Sequence, residues 1–121
     1  MRMEKDSLGH GEVPAIAYYG IQTQRAIDNY PISGYRAHPR LVQAMGMIKK
    51  AAATANRELN LMDTRRAGAI AKAADEVIAG KWNDQFVVDV YQAGAGVSFH
   101  MNANEVIANR AIEILDRKSV V

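Results

Sequence analysis

The chain has 121 residues, 49% hydrophobic and 23% charged, with no cysteine and a formal net charge of +2 from 15 basic and 13 acidic side chains. That balance is globular rather than disordered, its interspersed charges form no basic stripe for nucleic acid, and the lack of cysteine excludes a disulfide framework and a thiolate metal site. No stretch reaches the roughly 18 apolar residues of a membrane span and residues 1–12 lack the apolar centre of a signal peptide, so a cytoplasmic protein with no membrane partner is expected.

The pattern predicts a single domain over residues 1–121, mainly α-helical, in three parts. Residues 1–35 carry Gly9, Gly11, Pro14, Gly20, Pro31 and Gly34, which predicts an extended, turn-rich arm with one short helical turn at Gln22–Asn29. In the arm Tyr18 and Tyr19 are suited to packing. Arg25 either clamps a carboxylate ligand or pairs with a neighbouring acid, the second being the more ordinary use.

Residues 36–80 predict two helices. Pro39–Leu61 begins with a proline suited to a first turn and places Leu41, Ala44, Met45, Ile48, Ala52, Ala55 and Leu59 at three- and four-residue steps. Lys49, Lys50, Arg57 and Glu58 then fall on a solvated face. Asp63 or Thr64 caps the second helix, which runs to Ala79 with Ala67, Ile70, Ala71, Ala74, Val77 and Ile78 inward and Gly80 as its stop. Its many small residues permit close approach of another helix.

Residues 81–121 hold the chemistry. Phe86–Tyr91 is β-branched and aromatic and reads as extended and largely buried. Gly94-Ala95-Gly96 follows, and glycines let backbone N–H groups approach a ligand. Next come Ser98, His100, Asn102, Asn104 and Glu105, with Asn102 and Glu105 spaced as a capping box for a helix Asn104–Lys118. Ile107, Ala111, Ile114 and Leu115 would face inward, and Arg110, Glu113 and Arg117 outward. A glycine loop feeding a helix N-terminus collects N–H donors and the positive end of the helix dipole. The expectation is a carboxylate-binding wall.

Competing chemistries find little support. His10, His38 and His100 are scattered without a carboxylate pattern for a metal, and the loop lacks the lysine of a phosphate loop and the third glycine of a dinucleotide fold. Met45 and Met101 read as core. His100 itself suits either a structural role or a ligand contact, and Asn102 and Asn104 suit substrate positioning or capping equally.

GAGVSFHMNANEVIANR, residues 94–110, resembles the first conserved segment of the aspartase/fumarase superfamily, usually GxGTSxNMNxNEVxAN. Residues 12–26, from Glu12-Val13-Pro14 through Ala17-Tyr18-Tyr19-Gly20, agree as well, as do Trp82-Asn83-Asp84-Gln85-Phe86 and Val88-Asp89-Val90-Tyr91-Gln92. Within the superfamily, the pattern is similar to the aspartase branch. A class II fumarase more often has serine where Ala95 stands.

The resemblance implies an N-terminal helical domain of an enzyme that reversibly converts L-aspartate to fumarate and ammonia without a cofactor. It implies as partners L-aspartate or fumarate, the rest of the lyase subunit, and further copies in a homotetramer. Substrate-binding positions would be Gly96, Val97, Ser98, His100, Asn102 and Asn104. Val97 replaces a threonine whose hydroxyl contacts a substrate carboxylate, and His100 replaces an asparagine. The later Ser-Thr-Asn and Thr-His segments and the GSSxMPxKxN loop with the catalytic serine do not occur here, so no catalytic residue is assigned and the chain alone is expected to be inactive. The rival readings are a class II fumarase domain and a helical interaction module without catalysis.

Overall fold

Proline, aspartate and glycine set most helix boundaries in the computed structural model, which describes residues 1–120 and the side chains of residues 1–116. Helix α1 spans Ile21–Asn29, so the short turn expected at 22–29 is a helix of more than two turns. Helix α2, Pro39–Glu58, has Pro39 in its first turn, and His38 Nδ1 accepts from Arg40 N at 3.0 Å. Helix α3, Thr64–Ile78, is capped by Asp63, whose Oδ1 accepts from Arg66 N at 2.8 Å. Gly80 follows with φ of +84°, the left-handed conformation that ends helices. Helix α4 spans Val97–Val120.

Helix α4 contacts each of the other three helices and stands at the centre of the fold. Its Phe99, Ala103, Val106, Ile107, Ala111 and Ile114 form one core with Val42 of α2, with Ala69, Ala73, Ala74 and Val77 of α3, and with Phe86 and Val88. The Phe86 and Phe99 rings meet with centroids 5.8 Å apart at 47°, a tilted arrangement that aromatic quadrupoles favour. Among the described residues no helix is long and apolar enough to cross a membrane.

The α2–α3 contact corrects the stripe expected for α2. Val42, Gly46 and Ala53 are its buried residues, whereas Leu41, Ile48 and Leu59 are 52%, 59% and 67% exposed. Ala44, Ala52 and Ala55 are exposed too, and Met45 is half-buried. Backbone proximity explains the shift. A Cβ on Gly46 would lie 3.0 Å from Ile78 Cγ1 and 3.1 Å from Val77 Cγ1, so the two helices approach through the smallest residue available. Helix α3 buries Ala67, Ala74 and Val77 as expected and adds Ala69 and Ala73.

The arm also contains regular structure. Strands β1, Arg2–Asp6, and β2, Gly9–Val13, pair antiparallel with Arg2 opposite Val13 and Asp6 opposite Gly9. The sequence RMEKD has no apolar alternation because its inward residues are polar: Arg2, Glu4 and Asp6 turn toward the protein. Arg2 donates to Ala17 O and Tyr19 O, both at 2.8 Å, and Glu4 Oε1 accepts from Ile21 N at 2.9 Å. Arg25 holds Asp6 through Nε and Nη2 at 2.8 and 2.9 Å, the internal ion pair rather than the ligand clamp.

Three expectations about residues 86–118 are corrected. Phe86–Tyr91, expected extended, forms no strand and bends at Val88, Val90 and Tyr91; Phe86, Val88 and Asp89 are buried, but Val90 and Tyr91 are exposed. Helix α4 begins at Val97, seven residues before the expected start, so Asn102 and Glu105 lie inside it and form no capping box. Arg110, expected outward, is 7% exposed. It binds Glu76 through Nε at 2.7 Å and Nη2 at 3.0 Å, and also binds Glu113. The side chain of Arg117, also expected outward, lies outside the described residues.

Candidate functional site

The first turn of α4 takes its position from the residues just before it. Asp89 is buried and accepts from Ser33 N at 2.7 Å, Gly34 N at 2.8 Å, Ser33 Oγ at 2.8 Å and Tyr91 N at 2.9 Å. Its carboxyl is held down to about 2, chiefly by the Tyr91 N–H and further by Ser33 and Gly34, against burial. Gln92 donates to Asp89 O at 3.0 Å, and its Oε1 accepts from Phe99 N at 2.9 Å. Asp89 and Gln92 thus tie the end of the arm to the start of α4.

Between them lies the glycine turn. Gly96 has φ of +73°, a conformation strained for any side chain, and its N–H closes a turn on Ala93 O at 3.0 Å. Gly94 and Gly96 have open space where a Cβ would stand. Helix α4 starts directly after, and His100 N donates to Gly96 O at 3.2 Å. The partial positive charge of a helix N-terminus therefore lies at an exposed, glycine-lined turn.

The six expected site residues separate into two groups. Gly96 and Val97 are exposed in the turn, Val97 by 54%, and Val97 has no side-chain donor. Ser98 and Asn104 are half-buried, and His100 is exposed. Lys49 Nζ lies 2.9 Å from His100 Nδ1, and Asn104 Nδ2 lies 3.4 Å from His100 Nε2. Asn102 is placed otherwise. It is fully buried, with Oδ1 accepting from Val87 N at 3.0 Å and Nδ2 donating to Gln85 O at 2.9 Å, so its amide joins the preceding segment to α4 and is turned away from solvent.

Two cavities flank this end of α4. One of about 510 Å³ lies between the glycine turn, the start of α2 and Phe99, with His38, Leu41, Met45 and Val88 on its walls. The other, about 360 Å³, lies between α2 and α4, with Lys49, Asn56 and Asn104 above a floor of Ala53, Ile70 and Ile107. Burial holds the Lys49 ammonium below the usual lysine range. Among the described residues no group of three or more His, Cys, Asp or Glu gathers as a metal site. The chemistry on offer is hydrogen-bond donation and positive charge, suited to a carboxylate.

Sequence reasoning missed two residues. Lys49 falls on the face expected to be solvated, although 42, 46, 49 and 53 form a helical stripe marked by its small members Gly46 and Ala53. Glu105, spaced as a cap for its own helix, caps α1 instead. Its carboxylate accepts from Gly20 N and Gln22 N at 3.1 Å, Thr23 N at 2.8 Å and Thr23 Oγ1 at 2.6 Å. No local spacing signals that long-range cap.

A family model described as lyase matches residues 9–120. An aspartate ammonia-lyase of a Bacillus species is 60% identical over 95% of this chain and 25% of that protein. A class II fumarate hydratase of Halobacterium salinarum is 64% identical over 94% of this chain and 24% of that protein. A solved structure of a fumarate lyase:delta crystallin from Brucella melitensis has a TM-score of 0.93 at 52% identity, covering 96% of this chain and 27% of the other. The chain spans about a quarter of the length of the curated relatives it matches.

Proposed function

The chain belongs to the lyase family, within the aspartase/fumarase superfamily, and from that premise we propose that it is the N-terminal helical domain of an ammonia-lyase that reversibly converts L-aspartate to fumarate and ammonia. Its part is one wall of a dicarboxylate site, built from Gly96, Val97, Ser98, His100 and Asn104. The observation that carries this reading is the exposed glycine turn opening directly onto α4, with the Lys49 ammonium reaching His100 one turn in. Asn102 serves that wall from behind, holding its backbone.

The chemistry follows from charge. Removing a proton beside a carboxylate builds negative charge on that carboxylate, and N–H donors, a hydroxyl and a cation fixed beforehand lower the energy of that state. The Ser98 hydroxyl and the helix N-terminus supply donors, while Val97 contributes shape alone. The base that takes the proton would come from outside these 121 residues, from the rest of the subunit and from further copies in a homo-oligomer. No cofactor enters, and the setting is the cytoplasm.

The experiment is ultraviolet detection of fumarate formed from L-aspartate by the longer protein that contains this chain. Ser98→Ala or His100→Ala should lower kcat/KM by about tenfold or more, about 1.4 kcal/mol of transition-state stabilisation. Unchanged activity in both variants would remove these side chains from the wall. Identity of 64% with a class II fumarate hydratase favours a second reading, namely hydration of fumarate to malate. A parent inactive on aspartate and active on malate would establish that reading, and a parent inactive on both would leave a helical interaction module.

A further inference from the structure

The imidazole of His100 has a nitrogen-bearing group at each ring nitrogen, and the two contacts conflict. Lys49 Nζ stands 2.9 Å from Nδ1 and Asn104 Nδ2 stands 3.4 Å from Nε2. An ammonium and an amide –NH2 are both donors, while a neutral imidazole has one acceptor nitrogen and one N–H. The doubly protonated ring accepts from neither. One contact therefore has the opposite polarity.

Distance and chemistry decide which one. The Lys49 contact is the shorter, and a protonated lysine offers no lone pair, so Nδ1 is the acceptor and Nε2 carries the proton. The amide of Asn104 can reverse by rotating its terminal group, which exchanges oxygen and nitrogen at nearly equal shape. Reversed, Asn104 Oδ1 accepts from Nε2–H in place of the Nδ2 contacts to His100 Nε2 and to Met101 Sδ at 3.7 Å, and Asn104 lines the α2–α4 cavity together with Lys49. His100 and Asn104 are four residues apart on one helix face, the spacing at which side chains meet.

We infer that Lys49 is a positioning residue: it fixes His100 as the Nε2–H tautomer and, through His100, sets Asn104 with its –NH2 as a donor to a carboxylate in the α2–α4 cavity. The ligand part rests on the dicarboxylate reading above; the tautomer part does not. Two observations support the assignment. The neighbouring Lys50 is held by Asp75 at 2.7 Å, whereas among the described residues Lys49 makes no salt bridge to a carboxylate. The cavity floor of Ala53, Ile70 and Ile107 is apolar, so the polar groups the cavity offers a ligand are those of Lys49, Asn56 and Asn104.

Long-range nitrogen–proton correlation NMR on the ¹⁵N-labelled protein reads the tautomer directly. The expected result is a His100 ring wholly Nε2–H in the parent, a mixture containing Nδ1–H in Lys49→Met, and the parental state restored in Lys49→Arg. An Nδ1–H ring in the parent overturns the inference with no variant needed, and so does an unchanged ring in a folded Lys49→Met. Fumarate titration then tests the ligand part, with affinity expected to fall about tenfold in both Lys49→Met and Asn104→Ala. Parental affinity in both overturns the carboxylate role. No fumarate binding by the parent, with the tautomer controlled by Lys49, falls on the dicarboxylate reading and leaves the positioning role standing.

Discussion

The two ends of α4 carry similar polar residues in different situations. From Asn102 to Glu113, with Asn104 set apart, polar side chains bind within the fold: Asn102 joins residues 85 and 87, Glu105 caps α1, and Arg110 binds Glu76 and Glu113. Tyr18 adds a donor to Glu113 at 2.9 Å and packs on Trp82 with centroids 4.6 Å apart. Over the first turn the turn residues and His100 stand exposed, and Ser98 is half-buried. Residue type does not distinguish a structural amide from a ligand-binding one; what distinguishes them is whether the fold already satisfies the group.

The largest effect that would test the contrast is at Arg110. Arg110→Ala leaves Glu76 half-sheltered and without its main partner, and should cost about 3 kcal/mol in urea unfolding. A cost below about 1 kcal/mol would mean the inner end is not held by this pair. Asn102→Ala comes next. It strands Val87 N and Gln85 O and should cost about 2 kcal/mol, with the loss reaching the site only through its backbone.

Acid sharpens the same comparison. Glu76 is held at about 2 against an ordinary 4.5, chiefly by Arg110, and Asp89 at about 2 against 3.8, chiefly by the Tyr91 N–H. Both folded values lie below the unfolded ones, so their stabilisation is complete above about pH 5 and is lost as pH falls toward 2. The urea midpoint should drop steeply across that window. Asp89→Asn should flatten the drop, and a midpoint independent of pH there would show that neither carboxylate is held as described.

The smallest effect should be at the outer end. Ser98→Ala should change stability by no more than about 0.5 kcal/mol while weakening ligand binding, measured by unfolding and fumarate titration side by side. A large stability loss would move Ser98 into the structural group.

Much of this was legible in the chain. Pro39, Asp63 and Gly80 mark their boundaries because capping and left-handed backbone are local chemistry, which neighbours in sequence suffice to specify. The motif in residues 94–110 likewise disclosed the family and the turn. Other features came only with tertiary structure. Helix α2 is apolar on more than one face, and which face is buried depends on the approach of α3 at Gly46. Strand β1 binds through Arg2, Glu4 and Asp6, so no hydrophobic alternation announces it. Glu105 caps a helix more than 80 residues away in sequence. Sequence by itself determined the caps and stops at Pro39, Asp63 and Gly80 and the family motif of residues 94–110, since propensity and capping act within a few residues. Tertiary structure alone decided which polar groups are consumed and which remain for a ligand, because that depends on partners the fold brings from distant parts of the chain.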